Sequence, residues 1–192
     1  MLKSCQKVSL TSFRNLQKYY KNEKEGEEKM NQAQWVFASP IGDLYLVASE
    51  KGLQKLVYKK QPIAFADSLK GAAPEIKILA ETVKQLTEYF SGKRQSFDLT
   101  LDIQGTDFQK QVWKVLSKIP FGKTYSYRDV AQKIKNEKAM RAVGTANGRN
   151  PVSIVVPCHR VIAADGTLGG YAGGLPAKIK LLQLERAKFR IR

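Results

Sequence analysis

The single histidine of this chain, His159, directly follows Cys158, one of its two cysteines. A cysteine is a strong nucleophile only as the thiolate, and a neighbouring imidazole is a common means of forming one. Residues 153–156 are apolar and mostly β-branched, which predicts a short buried strand ending at Pro157. The pattern indicates a reactive thiol presented at the end of a strand. A small core cysteine beside an ordinary histidine is the alternative.

The basic charge of the chain is concentrated near this pair. The formal net charge is +16, from 33 basic and 17 acidic residues. Residues 105–192 contain 17 basic and 5 acidic side chains, whereas residues 33–104 contain 9 and 8. Clustered Lys and Arg favour nucleic acid as a partner because binding releases counterions. A charged surface that serves only solubility is the alternative.

Composition limits the other classes of protein. The 192 residues are 43% hydrophobic, without an apolar run that could span a bilayer, so we expect a globular protein and no membrane partner. Cys5 and Cys158 lie far apart, which favours a reducing compartment, the cytoplasm or, in a eukaryote, the nucleus. Two cysteines and one histidine cannot supply a usual four-ligand zinc site, so no metal is predicted.

Two segments precede the basic region. Residues 1–32 form a predicted basic extension and charged linker, with a transit peptide as the alternative. Residues 33–104 predict a small α/β domain, with a β-meander over 35–38, 44–48 and 53–58. An apolar spacing of three and four residues between Ile76 and Phe90 predicts a helix closed by Ser91 and Gly92, and a further strand is expected over 97–101.

Residues 105–192 predict a mainly helical domain. One helix begins at Asp107, and Ser126 can cap a short helix that breaks at 135–137. A second helix over 138–147 completes a predicted helix-turn-helix. After Lys138 its one long side chain is Arg141, so it suits close approach to a narrow groove or to the DNA backbone. Plain helix–helix packing is the alternative. The overall prediction is an α/β (α+β) fold.

These residues resemble the O6-alkylguanine-DNA alkyltransferases, also called methylated-DNA–protein-cysteine methyltransferases. The similarity covers nearly all of 105–185 and, more loosely, 35–101. The matching segments are Gly105-Thr106-Asp107-Phe108-Gln109, Val112-Trp113, Ile119-Pro120, Gly122, Ser126-Tyr127, Arg141-Ala142-Val143-Gly144, Asn150-Pro151, Ile154-Val155-Val156-Pro157-Cys158-His159-Arg160-Val161-Ile162 and Gly170-Tyr171-Ala172-Gly173-Gly174.

The resemblance implies repair of DNA by direct reversal. Such a protein binds duplex DNA in the minor groove and flips out an O6-alkylguanine, with O4-alkylthymine as a second candidate lesion. It then transfers the alkyl group irreversibly to its own cysteine, once per molecule and without a cofactor. The implied partner is double-stranded DNA containing O6-alkylguanine, and the protein is expected to be a monomer in the absence of DNA.

The resemblance also implies roles for the catalytic residues. Cys158 is the acceptor, His159 the base acting through a bound water, and Glu185 the group that orients His159. If the segment is extended, adjacent side chains point in opposite directions, so direct contact between Cys158 and His159 is not expected. Asn150 braces the active-site turn, and Tyr127 is the candidate proton donor toward guanine N3.

Further residues are implied for binding. Arg141 fills the gap left by the flipped base, Tyr127 presses on its 3′ phosphate, and Arg128 and Asn136 contact the DNA backbone. The pocket is implied to include Val161, Tyr171 and Ala172, the last at a position where some members carry serine. The basic tail after Glu185 is expected to lengthen the last helix.

Three alternative functions remain at this stage. A non-catalytic lesion-recognition protein would flip alkylated guanine and recruit other factors, but such proteins replace the cysteine that is present here as Cys158. A helix-turn-helix transcription factor with a redox-sensitive thiol would leave Asn150 and Glu185 unexplained. A cysteine hydrolase is the weakest alternative because the sequence contains no obvious oxyanion hole.

Overall fold

The computed structural model describes residues 32–191. The predicted extension 1–32 therefore lies outside the described residues, apart from Gln32. The described part begins with an antiparallel three-stranded sheet in the order β1-β2-β3. Its strands are β1 (Gln32–Ser39), β2 (Gly42–Ser49) and β3 (Gly52–Val57). The predicted meander is confirmed, and Gly42, with φ of +105°, makes the turn between β1 and β2.

Helix α1 (Pro74–Phe90) packs against this sheet, ends where the sequence predicts, and begins two residues before Ile76. Pro74 occupies its first turn, where a missing N–H has no consequence, and Gly92 follows its end with φ of +76°. The most deeply buried face carries Leu79, Leu86 and Tyr89. Tyr89 lies outside the stripe predicted from the sequence, although it is fully buried.

The second half of the described chain is mainly helical, which confirms the mixed α/β fold class. Its helices are α2 (Asp107–Leu116), α3 (Tyr127–Lys133), α4 (Met140–Gly148) and α5 (Gly174–Leu184). Thr106 caps α2 and Ser126 caps α3, each through a capping box that satisfies free backbone N–H groups of the first turn. These local signals explain why both helices begin where the sequence predicts.

Helices α3 and α4 pack against each other and form the predicted helix-turn-helix pair. Lys135, with φ of +59°, lies in the connection, and a short 3-10 turn (Glu137–Ala139) precedes α4. Helix α4 therefore begins at Met140, two residues later than predicted. The indole N–H of Trp113 donates to the carbonyl of Ala146 at 2.9 Å and holds α2 against α4.

A two-stranded parallel ladder connects this pair to the cysteine segment. Strand β4 (Tyr125–Ser126) pairs with β5 (Val161–Ile162). Since β4 leads directly into α3 and β5 follows Cys158–Arg160, the ladder places the start of α3 beside the thiol segment.

Two predicted strands are wrong. Residues 97–101 contribute one bridge, between Leu101 and Leu53, because the side chain of Gln85 satisfies both backbone groups of Asp98 in place of a neighbouring strand. Residues 153–156 form a buried turn in which Ile154 has φ of +74°. Their apolar, β-branched composition reflects burial in the core, and burial does not require a strand.

The cysteine segment lies between two hydrophobic clusters. One joins the sheet and α1 to Val152, Ile154 and Leu181 from the second half of the chain. The other joins α2, α3 and α4 to Val156, Cys158 and Val161. The first part of this segment therefore enters one core and its second part enters the other, which fixes the segment in both.

The basic tail does not extend the last helix, contrary to expectation. Helix α5 ends at Leu184, Arg186 has φ of +55°, and the backbone N–H of Arg190 donates to the carbonyl of Gly166 at 2.8 Å. The reversal at Arg186 turns the chain back toward residues 166–167. Between residues 32 and 191, no helix has the length and apolarity required to cross a bilayer.

Candidate active site

Cys158 begins a 3-10 turn (Cys158–Arg160), so the expected extended conformation is wrong. The N–H of Cys158 donates to the carbonyl of Val156 at 2.8 Å, and the N–H of Arg160 donates to the carbonyl of Pro157 at 3.0 Å. Pro157 has no N–H for a ladder, which favours a tight turn here. Cys158 is 4% exposed and His159 is fully buried.

Two asparagines hold this turn. Asn150 donates from Nδ2 to the carbonyl of Val156 at 2.7 Å and accepts from the N–H of Val152 at 3.0 Å. Asn147, at the end of α4, donates to the carbonyl of Cys158 at 3.4 Å. Both asparagines are buried, and they provide polar partners for a backbone that has no regular sheet or helix to satisfy it. The bracing role expected of Asn150 matches this geometry.

His159, Arg160 and Glu185 form a buried ionic network. His159 Nε2 lies 2.9 Å from Glu185 Oε1. Arg160 donates from Nε to Oε2 at 2.8 Å and from Nη2 to Oε1 at 2.9 Å, and its Nη1 donates to the carbonyl of Ile119. The bidentate pairing gives Glu185 a permanent positive partner besides the imidazole. The structure thus brings Glu185 to His159 as expected, whereas the role of Arg160 was not predicted.

Burial and the hydrogen-bonded partners shift the pKa values of Glu185 and His159 in opposite directions. Burial by itself would raise the pKa of Glu185, but hydrogen bonds from His159 and Arg160 lower it to about 2. Burial lowers the pKa of His159, and the hydrogen bond to Glu185 acts against that effect. The resting pair is therefore a carboxylate accepting from a neutral imidazole through Nε2–H. His159 Nδ1 has no hydrogen-bond partner among the described residues and is free to accept a proton.

The thiol is held in its protonated form. Burial raises the pKa of Cys158, and hydrogen bonds from Asn150 and Ser153 and the charge of Lys178 only partly offset this effect. A buried thiol without a stabilised anion is a poor nucleophile until a base removes its proton. His159, the next residue, whose ring is hydrogen-bonded to Glu185, remains the predicted base.

A narrow cleft reaches Cys158. Two of the three predicted pocket residues, Tyr171 and Ala172, line it, whereas Val161 is fully buried outside its lining. The other lining residues are Asn147, Gly148, Asn150, Ser153 and Gly170. The cleft thus combines amide and hydroxyl groups with one aromatic wall, as a site for a planar polar ligand would require.

Two sets of hydrogen bonds lie beside the cleft. Tyr58 belongs to residues 32–104, the part of the molecule that contains the three-stranded sheet and is called the sheet half below. Its phenol is hydrogen-bonded to the phenol of Tyr171 at 2.9 Å. The buried Lys178 Nζ donates to the carbonyls of Val161 at 2.8 Å and Gly169 at 3.2 Å, and burial lowers its pKa to about 8. Neither Tyr58 nor Lys178 was predicted. A lysine on the apolar face of α5, beside Ala177 and Leu181, was the available signal.

A second, open groove lies on the helix-turn-helix surface. It is lined by Tyr127, Arg128, Met140, Arg141, Gly144, Ala163 and Ala164. Three of the four residues predicted to bind DNA therefore lie together, whereas exposed Asn136 lies in the α3–α4 connection, outside this lining. The half-buried Tyr127 packs closely on Gly169: an added Cβ there would lie 2.6 Å from the phenol oxygen. Tyr127 thus connects the groove with the wall of the cleft.

The described residues also bear on metal binding. Within residues 32–191 no group of three or more His, Cys, Asp or Glu side chains is arranged to hold a metal ion. The carboxylate of Glu185 is already bound by Arg160 and His159. The polar side chains of the site are therefore hydrogen-bonded to each other or line the cleft.

Fold and site together describe a thiol, an imidazole and a carboxylate assembled behind a helix-turn-helix. Residues 107–187 match the family described as 6-O-methylguanine DNA methyltransferase, DNA binding domain. Residues 35–103 match its ribonuclease-like domain. The chain belongs to the 6-O-methylguanine DNA methyltransferase family, which confirms the resemblance inferred from its motifs.

Individual relatives agree with this assignment. A methylated-DNA–protein-cysteine methyltransferase of Methanosarcina barkeri is 48% identical over 158 residues, which cover 81% of this chain and 98% of that one. The O6-methylguanine methyltransferase of Mycobacterium tuberculosis has a similar structure, with a TM-score of 0.71, 39% identity and coverage of 83% and 96%. A structure of M. tuberculosis OGT in complex with DNA gives a TM-score of 0.70, 44% identity and coverage of 79% and 91%.

Proposed function

We propose that this protein repairs DNA by moving an alkyl group from O6 of guanine to Cys158 Sγ, in a single irreversible turnover. The observation that carries the proposal is the position of the Cys158 thiol, which lines a narrow cleft while the adjacent His159 is hydrogen-bonded to Glu185. The family and the names of the relatives agree with it. The proposed partner is duplex DNA containing O6-alkylguanine, bound by a monomer.

The transfer is a displacement at the alkyl carbon. The bond between Sγ and this carbon forms as the bond between carbon and O6 breaks, and the electron pair of the broken bond remains on O6. The thiol proton passes through a water molecule to His159 Nδ1, whose proton affinity the Glu185 carboxylate increases. The restored guanine takes up one proton, so the net exchange is thiol hydrogen for alkyl group. The product thioether has no good leaving group, so the protein acts once.

Tyr127 is the proposed donor that relieves the charge on the departing guanine, toward N3. Burial raises the pKa of Tyr127, and a thiolate at Cys158 would raise it further. The phenol is therefore protonated at the start of the reaction and can donate. Its position between the groove and the cleft also allows it to press on the phosphate 3′ to the flipped nucleotide.

Binding is proposed to use the groove on α3 and α4. Arg128 and Arg141 are exposed there, and the small residues Gly144, Ala163 and Ala164 of the same lining would permit close approach to the minor groove. Arg141 fills the position of the flipped base, and Asn136 contacts the backbone from the connection. We propose residues 105–192 as the unit that binds DNA and transfers the alkyl group, with residues 33–104 as its support. The hydrogen bonds of Tyr58 and Tyr89 to the second unit support that supporting role.

The first test is the mass of the protein after mixing with duplex DNA that contains one O6-methylguanine. A gain of one methylene on the peptide carrying Cys158, proportional to the lesion supplied, is expected because the acceptor is consumed. Cys158→Ala should bind the same duplex and show no gain, and unmodified duplex should leave the wild type unchanged.

The same experiment separates the alternative function. Binding of the lesion without any change of mass in the wild type would indicate non-catalytic recognition. A methyl group on another residue, or removal of the methyl group from DNA by Cys158→Ala, would contradict the assignment of Cys158. The alternative is not favoured, because the cysteine is present and the relatives carry the methyltransferase name.

A further inference from the structure

Tyr89 connects the sheet half of the molecule to the network behind the thiol. It lies in the last turn of α1, is fully buried, and has aromatic contacts with Phe97 and Phe121. Its phenol donates to Glu185 Oε1 at 2.7 Å, across 96 positions of sequence. No other side chain of the sheet and α1 is hydrogen-bonded to this carboxylate among the described residues.

The oxygen that Tyr89 reaches is the one that holds His159. Glu185 Oε1 accepts from Tyr89 at 2.7 Å, from His159 at 2.9 Å and from Arg160 Nη2 at 2.9 Å. Each donor stabilises the carboxylate charge and so weakens that oxygen as a hydrogen-bond acceptor for the other donors. The phenol and the imidazole therefore compete for one acceptor atom. Burial raises the pKa of Tyr89, and the adjacent carboxylate raises it further, so the phenol stays a donor.

We propose that Tyr89 is a positioning residue for the alkyl transfer: by occupying Glu185 Oε1, its phenol limits how strongly the carboxylate holds a proton on His159. This inference rests on the proposed function for its catalytic meaning, whereas its effect on His159 can be measured without any reaction. The sheet half thus contributes directly to the proton relay, besides supporting it.

The other charged groups around His159 explain why such a limit matters. Burial and the positive charges of Arg160 and Lys178 disfavour the imidazolium, while Glu185 favours it. The imidazole also lies edge to ring against Tyr171, with ring centroids 6.4 Å apart. A base must accept the thiol proton during the reaction and yet remain unprotonated before it. A neutral donor on Glu185 adjusts this balance without adding charge.

Tyr89→Phe removes the hydroxyl and keeps the ring. The carboxylate then has one donor fewer on Oε1, so it should hold the imidazolium proton more strongly and the pKa of His159 should rise. We expect a shift on the order of half to one pH unit. Because His159 is the single histidine of the chain, its ring signals in an NMR titration report this pKa without ambiguity.

The rate of alkyl transfer provides the second measurement. The acid limb of its pH profile should move to higher pH by the same amount as the NMR midpoint, because protonated His159 cannot act as the base. Tyr45→Phe, which removes a phenol from β2 that does not contact Glu185, should leave both curves unchanged. A purely structural role of Tyr89 would alter stability while the titration midpoint stayed in place.

The outcomes can be told apart. An unchanged or lowered His159 midpoint in folded Tyr89→Phe overturns the inference. If no variant, including the wild type, transfers an alkyl group, the proposed function fails while the NMR result still decides the role of Tyr89. If Tyr89→Phe does not fold, replacement of Tyr89 by 3-fluorotyrosine keeps its shape and strengthens its donor. The His159 midpoint should then fall, and a midpoint that rises or stays constant would overturn the inference.

Discussion

The network behind Cys158 and the groove on α3 and α4 differ in how far their side chains are already ordered. His159, Arg160 and Glu185 are buried and hydrogen-bonded to one another at 2.8–2.9 Å. Arg128 and Arg141, by contrast, are exposed at the groove. Chemistry needs groups that are fixed before the substrate arrives. Binding can instead leave long side chains mobile and order them on the partner, at a cost in entropy.

The two regions also differ in the parts of the molecule that contribute to them. The preassembled network receives Tyr89 from α1 and contacts the turn at Gly122, whose N–H lies 3.4 Å from Glu185 Oε2. The groove is built from α3, α4 and residues 163–164. A substitution in the network should therefore affect stability and chemistry together. A substitution in the groove should affect DNA-dependent steps alone.

Glu185→Gln should have the largest effect. It leaves Arg160 buried without its carboxylate, so we expect the free energy of unfolding to fall by about 3–5 kcal/mol. It also removes the group that supports His159, so single-turnover transfer should slow by on the order of a hundredfold or more. Urea unfolding and quenched transfer reactions measure these two quantities.

The pH dependence of this loss has a definite sign. The pKa of Glu185 is lowered from 4.5 to about 2 in the folded protein, so its stabilisation is complete above about pH 4.5 and is lost as the pH falls toward 2. The stability gap between wild type and Glu185→Gln should therefore narrow across this range. Glu81→Gln, at a surface pair with Lys84, should change stability by less than about 1 kcal/mol. A gap that stays constant between about pH 6 and pH 3 would contradict the charged state assigned to Glu185.

Arg141→Ala should have an intermediate effect, restricted to duplex DNA. Its exposed side chain should contribute less than about 0.5 kcal/mol to stability. If it fills the position of the flipped base, its loss should slow transfer from duplex roughly tenfold, equivalent to about 1.4 kcal/mol of the energy of flipping. Transfer from the free O6-methylguanine nucleoside should be unchanged, because that substrate needs no flipping. Equal slowing with duplex and with the nucleoside would show that Arg141 acts in the alkyl transfer itself and not in flipping the base.

Arg128→Ala should have the smallest effect, visible in the salt dependence of binding. If Arg128 contacts one phosphate, the slope of log binding constant against log salt should decrease in magnitude by about 1. Stability and the transfer rate at saturating DNA should be preserved. Lys51→Ala, in the β2–β3 turn, removes the same charge away from the groove and should keep the wild-type slope. Identical slopes for wild type and Arg128→Ala would place the DNA backbone elsewhere.

Much of the fold could be predicted because its signals are local. The starts of α2 and α3 follow from Thr106 and Ser126, whose capping partners lie three residues away. The turn at Gly42 likewise depends on neighbouring residues. One error fell where an apolar composition had two explanations. Residues 153–156 are apolar because both cores bury them, and the side chain of Asn150 replaces the strand partner that the pattern suggested.

The sequence alone determined the identity of the chemistry: a cysteine next to the single histidine, a basic second half, and motifs that identify the family. Tertiary structure decided how those groups work. Glu185 reaches His159 across 26 positions, and Tyr89 reaches Glu185 across 96. No local pattern specifies such meetings, because they depend on how α1, α5 and the cysteine turn pack around shared cores. Hydrogen bonds between residues close in sequence can be predicted from the local sequence. The proton affinity of His159, by contrast, depends on all the groups that packing brings to it.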